Sequence, residues 1–135
     1  MADSFKFELV SPERLLVSRE VRSVVVPGTE GEMTVMAHHA PVMTTLRAGM
    51  VVVTPTEGPE ERYVVFGGFA DIQPESCTLL AESAVSAAEL DRGDLERRIQ
   101  AAREQVEAAD SDHDRTRAEM LLHELITLNG VVMPA

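Results

Sequence analysis

The spacing of proline divides this chain into two kinds of polymer. Pro12, Pro27, Pro41, Pro55, Pro59 and Pro74 recur at short intervals, and then proline disappears until Pro134. Glycine follows suit, since Gly93 is the only one between Gly68 and Gly130, while Ala, Glu and Arg take over. A residue that lacks a backbone donor and fixes φ breaks long helices and central strands alike, so the first part is restricted to strands joined by turns. The second part is rich in strong helix formers. The boundary falls near residue 86, giving a β domain over 1–86 and a helical segment over 87–135. At 135 residues the chain has room for one ordinary domain or one small domain with an appendage.

Within the first part, apolar runs at 5–9, 15–18, 21–26, 33–36, 42–46, 50–54, 62–66, 69–73 and 76–81 predict an antiparallel β-sandwich of about ten strands. Phe5-Lys6-Phe7-Glu8-Leu9 alternates strictly, as a strand with one buried face does. Turns are expected at 11–13, 27–31, 39–41, 47–49 and 55–59, with a tight backbone site at Gly67-Gly68. Met33, Met36, Met43 and Met50 are expected to fill the sandwich core.

Beyond the boundary, Ser86 and Glu89 have capping-box spacing and predict a helix start. Leu95, Ile99, Ala102 and Val106 then form one apolar stripe on a helix reaching about residue 109. Gly93 lies one turn in and is expected to weaken that end. Asp110-Ser111-Asp112 breaks the helix, and a second begins near Asp114 with Ala118, Leu121, Leu122, Leu125 and Ile126 on one face and Gly130 as its terminator. Two such helices make an antiparallel hairpin.

Composition excludes several functions. With 12 Lys+Arg against 23 Asp+Glu the net charge is −11, which repels phosphate backbones and anionic lipid and argues against nucleic acid or lipid partners. The N-terminal residues lack a signal-peptide pattern and no apolar run approaches the ~20 residues of a membrane span, so no direct membrane insertion is expected. The lone Cys77 cannot form an internal disulfide and is expected to be a small core residue. His38 and His39 are adjacent and, on a strand, would point to opposite faces, so they do not chelate one metal together. No nucleophile elbow, P-loop or dinucleotide fingerprint is present. These residues alone leave open a free adaptor whose sandwich and hairpin bind a helical partner, with an enzyme on a β-sandwich scaffold using His38, His39 and a carboxylate more remote.

The choice comes from a resemblance. Phe7-Glu8-Leu9-Val10-Ser11-Pro12-Glu13, Val24-Val25-Val26-Pro27-Gly28-Thr29-Glu30-Gly31-Glu32, His39-Ala40-Pro41, Leu46, Gly49 and Gly67-Gly68-Phe69 resemble, in order and spacing, the epsilon subunits of F-type ATP synthases. The resemblance covers essentially the whole chain. It implies a non-catalytic rotor subunit, without a cofactor, that joins the gamma subunit to the c ring and couples rotation to ATP synthesis. It also implies a peripheral place on the cytoplasmic face of a bacterial inner membrane. By the same resemblance Ser11 and His39 face gamma, and Glu30, Gly31 and Glu32 meet the polar loops of the c ring. Physical chemistry agrees with the last assignment, because two carboxylates on a turn can pair with cationic loop residues.

The family's hairpin is regulatory in many bacteria and can reach the alpha and beta subunits. Family members that bind ATP carry Ile/Leu-Asp-x-x-Arg-Ala at the first helix. Here the segment reads Leu90-Asp91-Arg92-Gly93-Asp94-Leu95, so Asp91 matches but Asp94 replaces the arginine and repels phosphate. Residues 110–135 hold Arg115 and Arg117 against Asp110, Asp112, Asp114, Glu119 and Glu124, a net charge of −3 that predicts weak inhibition of ATP hydrolysis.

Overall fold

The computed structural model describes residues 3–132. They fall into two compact units that meet in sequence at Ala88 and Glu89. The first is a seven-stranded sheet: β1 (Phe5–Val10), β2 (Leu15–Gly28), β3 (Gly31–Met36), β4 (Val42–Pro55), β5 (Glu61–Gln73), β6 (Ser76–Ala81) and β7 (Ala84–Ser86). Strand β1 pairs with β2 on one edge and β6 on the other, so the pairing circuit β1–β6–β5–β4–β2–β1 closes on itself. A sheet that closes leaves few open edges and encloses its core as a flattened sandwich. All pairings are antiparallel except β1 with β6, which is parallel.

Seven strands replace the expected ten or so because three expected interruptions are not turns, which merges the nine apolar runs into six, and β7 adds a seventh strand that no run predicted. Runs 15–18 and 21–26 are one strand, β2, as are 42–46 and 50–54 in β4 and 62–66 and 69–73 in β5. Arg47-Ala48-Gly49 contains no proline, and its neighbours stay in register with β5, Leu46 opposite Gly68 and Ala48 opposite Phe66. The pair Gly67-Gly68 marks a bend in β5. Gly68 has φ +129°, and a Cβ placed on it would lie 2.1 Å from the carbonyl oxygen of Leu80. No side chain fits there, so the sequence must supply glycine where β5 crosses β6 at backbone distance.

Alternation along the strands decides the core. Phe5, Phe7 and Leu9 of β1 are fully buried with Val21, Val24, Val26, Val35, Val51, Val53, Ile72, Cys77 and Leu79. Of the methionines expected in the core only Met33 packs against it. Met36 and Met43 are 59% and 73% exposed, and Met33 and Met50 are only half-buried. Val35 takes the inward position on β3, and strict alternation turns Met36 outward. Arg19 and Arg22 on β2 fasten the β4–β5 loop, donating to Glu57 O at 3.1 Å and Thr56 O at 3.1 Å.

The second unit is an antiparallel helical hairpin, α1 (Arg92–Ala108) and α2 (Asp112–Val132). The helix does not start at Ser86, which belongs to β7. A 3₁₀ turn, Ala87–Glu89, follows, and Asp91 is the N-cap, its carboxylate accepting from Gly93 N at 3.2 Å. Gly93 therefore sits at the second helical position, where its N–H serves the cap. Ser111 caps α2, its hydroxyl accepting from Asp114 N at 3.1 Å. Gly130 does not terminate α2, which continues to Val132. The buried residues are Leu95, Ala102, Ala118, Leu125 and Leu128, whereas Leu121 and Ile126 are exposed. Burial follows one narrower stripe, which includes Leu128 and excludes the flanks of the expected face.

Candidate functional site

The turn between β2 and β3 gathers the three residues assigned to one contact. Gly28 pairs with Gly31, leaving only Thr29 and Glu30 as the loop. Thr29 and Glu30 keep negative φ, and the bend is completed by Gly31, which takes φ +136° with open space around it. Its role is conformational rather than a matter of close approach. Glu30 and Glu32 are both exposed. Together with Gly28, Gly31, Met33, Val42, Met43 and Thr44 they line a recess of about 360 Å³, in which two carboxylates stand beside a methionine-rich apolar wall.

The turn is tied to β4. Thr29 N donates to Thr45 O at 3.0 Å, the hydroxyls of Thr29 and Thr45 share a hydrogen bond of 2.8 Å, and Arg47 Nε donates to Gly28 O at 3.2 Å.

Ser11 lies elsewhere. It is 7% exposed, closes a small loop through Ser11 N to Arg14 O (2.9 Å) and Arg14 N to Ser11 O (3.3 Å), and its hydroxyl donates to Arg14 O at 3.4 Å. It lines a groove of about 520 Å³ with Val10, Pro12, Thr45, Leu46, Gly67, Gly68, Phe69, Leu80, Ala81 and Glu82. Phe69 and Leu80 face each other across β5 and β6 and are 53% and 51% exposed, an apolar rim unusual for a solvated surface. His39 lines neither the groove nor the recess. It sits in the turn before β4, its Nδ1–H donating to Ala40 O at 2.7 Å. The two adjacent histidines are thus not on a strand. His38 adopts φ +67°, its N–H donates to Pro74 O at 2.9 Å, and its ring lies 3.5 Å from Asp3.

Among the described residues no three His, Cys, Asp or Glu side chains converge on one point. Cys77 is fully buried, and burial first, with the charge of Asp71 second, pushes its thiol up to about 12, so it stays protonated and unreactive at neutral pH. Burial also raises Tyr63, aided by the charge of Glu61 and a hydrogen bond to it, with Arg19 opposing. At the start of α1, Arg97 lies 3.6 Å from Asp91 and 3.8 Å from Asp94, and Arg98 lies 3.3 Å from Asp94. The arginines nearest Asp91 are thus already engaged by carboxylates.

Sequence reasoning missed Thr45, Arg47, Phe69 and Leu80. Phe69 carries a signal, since it stands two residues from Asp71 on the face opposite Ala70 and Ile72, whereas the bonds made by Thr45 and Arg47 depend on a strand pairing no local pattern shows.

Comparison with known proteins gives one consistent answer. The β-sandwich domain of the ATP synthase delta/epsilon chain matches residues 4–87. The chain is 64% identical to the ATP synthase epsilon chain of Mesorhizobium japonicum and 62% identical to that of Sinorhizobium medicae, over the full length of all three. Among solved structures it resembles a chain of the Euglena gracilis mitochondrial ATP synthase OSCP/F1/c-ring assembly, with a TM-score of 0.75 at 23% identity over 96% of this chain and 81% of that one. It also resembles a chain of the Tetrahymena thermophila mitochondrial ATP synthase central stalk and c ring, with a TM-score of 0.67 at 9% identity over 93% and 96%. At these identities the two structures speak to the fold.

Proposed function

The chain belongs to the epsilon-chain family of the F-type ATP synthases, in which it is a non-catalytic subunit of the central stalk, and from that premise we propose how its surfaces are used. The β domain joins the gamma subunit to the c ring. The carboxylate turn meets the ring, and Ser11 and His39 lie on the side that meets gamma. The subunit thereby sits peripherally on the cytoplasmic face of the bacterial inner membrane, and among its described residues no helix is long and apolar enough to cross one.

One observation carries the ring contact: Glu30 and Glu32 are exposed on a glycine-framed turn that is tied down by hydrogen bonds. A carboxylate pair on a fixed turn forms charge-assisted hydrogen bonds with cationic partners at little ordering entropy. Glu32→Lys reverses one of those charges and is expected to weaken rotor assembly and proton-coupled ATP synthesis in the reconstituted complex. Unchanged synthesis in that variant refutes the contact.

For the hairpin the reading is a weak brake that does not sense ATP. Asp94 presents negative charge where a phosphate would approach, and its neighbouring arginines are drawn to Asp91 and Asp94. Residues 110–135 are net negative, whereas the family's extended hairpins are expected to pair basic residues with an acidic segment of the beta subunits. Removing residues 87–135 is expected to raise ATP hydrolysis by less than about tenfold, a factor equivalent to ~1.4 kcal/mol of activation free energy. Calorimetry that detects ATP binding at millimolar or tighter affinity overturns the second half of this reading.

A further inference from the structure

A two-residue turn framed by Gly28 and Gly31 carries at both ends residues with more backbone freedom than any other type. A contact surface that carries load has to be fixed, because each residue ordered only on contact subtracts from the binding free energy. The turn's own hairpin cannot supply this alone, since β3 is a short strand at the end of the sheet order, paired only with β2. What fixes the turn comes from β4, a strand hydrogen-bonded on one side to β2 and on the other to β5 from Val42 to Val53.

Three bonds make the connection. The backbone bond from Thr29 N to Thr45 O (3.0 Å) and the hydroxyl pair of Thr29 and Thr45 (2.8 Å) join the first loop residue to β4 through main chain and side chain together. The bond from Arg47 Nε to Gly28 O (3.2 Å) occupies the carbonyl at the turn's base. Below them the Pro27 ring fills the space beside Gly49, where a Cβ would fall 2.6 Å from Pro27 Cβ, so β2 and β4 are pressed together where the turn begins.

We infer that Thr45 and Arg47 are positioning residues for the carboxylate turn, holding Glu30 and Glu32 in one geometry and passing force from the turn into β4 and β5. The inference rests on the reading that this turn meets the c ring. Both residues act through the carboxylates, and that separates a positioning role from a general effect on the sheet.

The test uses the complete ATP synthase reconstituted in vesicles, with ATP-driven proton pumping measured per ATP hydrolysed. Thr45→Val keeps the shape and removes the hydroxyl, and Arg47→Met keeps the stem and removes the donor. The double variant is expected to lower coupled pumping by about threefold or more, the size that one or two hydrogen bonds carry. Thr45→Ser, which restores the hydroxyl, is expected to pump like the unaltered complex. Thermal melting of the chain identifies a variant that fails to fold, in which case the isosteric Thr45→Val alone carries the test.

In a Glu30→Gln, Glu32→Gln background the same two substitutions are expected to add little, because the groups they position are gone. An additive loss there means that they act elsewhere and overturns the positioning role. Loss in the carboxylate variant with none in the Thr45, Arg47 variant overturns the positioning role alone and leaves the ring contact standing. Full pumping by the carboxylate variant overturns the ring contact, and the positioning role falls with it.

Discussion

The two units of this chain reach order by opposite routes. In the sandwich, tight hairpins such as Gly28 opposite Gly31 and Gln73 opposite Ser76 are tied together by distant pairing: β1 pairs with β6 across some seventy residues of chain, Lys6 opposite Ser76, and the pairing circuit closes only when both ends of the domain are present. In the hairpin, order is local. Asp91 and Ser111 cap their own helices, and one stripe from Leu95 to Leu128 supplies all the burial. Within the closed circuit of β1, β2, β4, β5 and β6 no strand moves without breaking bonds on both edges. A hairpin with few buried side chains has less to lose by opening. The sheet is thus held by bonds between chain ends, and the hairpin by its own caps and one buried stripe.

The strongest way to break the comparison is to strike the sheet where distant strands meet. Gly68→Ala places a methyl against the Leu80 carbonyl at a positive φ, and the β domain is expected to lose cooperative folding, a loss above about 4 kcal/mol. Circular dichroism of the variant reads this directly. A cooperative transition like that of the unaltered chain shows that β5 and β6 separate more easily than their geometry indicates.

Next in size is the hairpin's own core. Leu125→Ala removes a buried side chain and is expected to cost about 2–4 kcal/mol. If the units are ordered independently, hydrogen exchange speeds up at the amides of α1 and α2 while those of β4 and β5 keep their protection. Equal acceleration in both erases the distinction.

Alkaline pH sharpens the contrast, because Cys77 lies in the sheet and the hairpin has no cysteine. The folded thiol sits at about 12 against an ordinary value of 9.0, so the unfolded chain releases its proton first. Stability from this group is complete below pH 9 and declines as pH rises toward 12, by about 1 kcal/mol at pH 10. Cys77→Ala is expected to flatten that part of the pH–stability curve, measured by urea unfolding. An unchanged slope assigns the loss to other groups.

The smallest effect is expected at the helix cap. Asp91→Ala removes the acceptor for Gly93 N and a partner of Arg97, and is expected to cost the hairpin about 1 kcal/mol. Fraying confined to the first turn of α1, seen in amide exchange, matches a purely local role. An effect reaching β5 or β6 contradicts it.

Much of this was legible in order of locality. Phe5, Phe7 and Leu9 declare their buried face by alternation, and Leu95, Ala102, Ala118 and Leu125 declare theirs by helical spacing. The segment Gly28-Thr29-Glu30-Gly31-Glu32 is recognisable as a turn bearing two carboxylates. Less legible was whether Arg47-Ala48-Gly49 and Gly67-Gly68 end a strand or bend one. The same residues serve either purpose, and only the register of β4 against β5 distinguishes them. The cap at α1 was misplaced for a related reason, because Ser86 has the right neighbours for a capping box but is taken by pairing with Tyr63 in β5.

By itself, then, the sequence determined the partition into sheet and hairpin, the inward face of β1 and the centre of the helical stripe, the acidic surface and the family, all of which follow from composition, short-range periodicity and motif spacing. Tertiary structure alone decided which strands are continuous, that the sheet closes through β1, and that Thr45 and Arg47 hold the carboxylate turn. Those outcomes depend on hydrogen bonds between residues far apart along the chain, and a backbone donor carries no mark in the sequence of the acceptor it will meet.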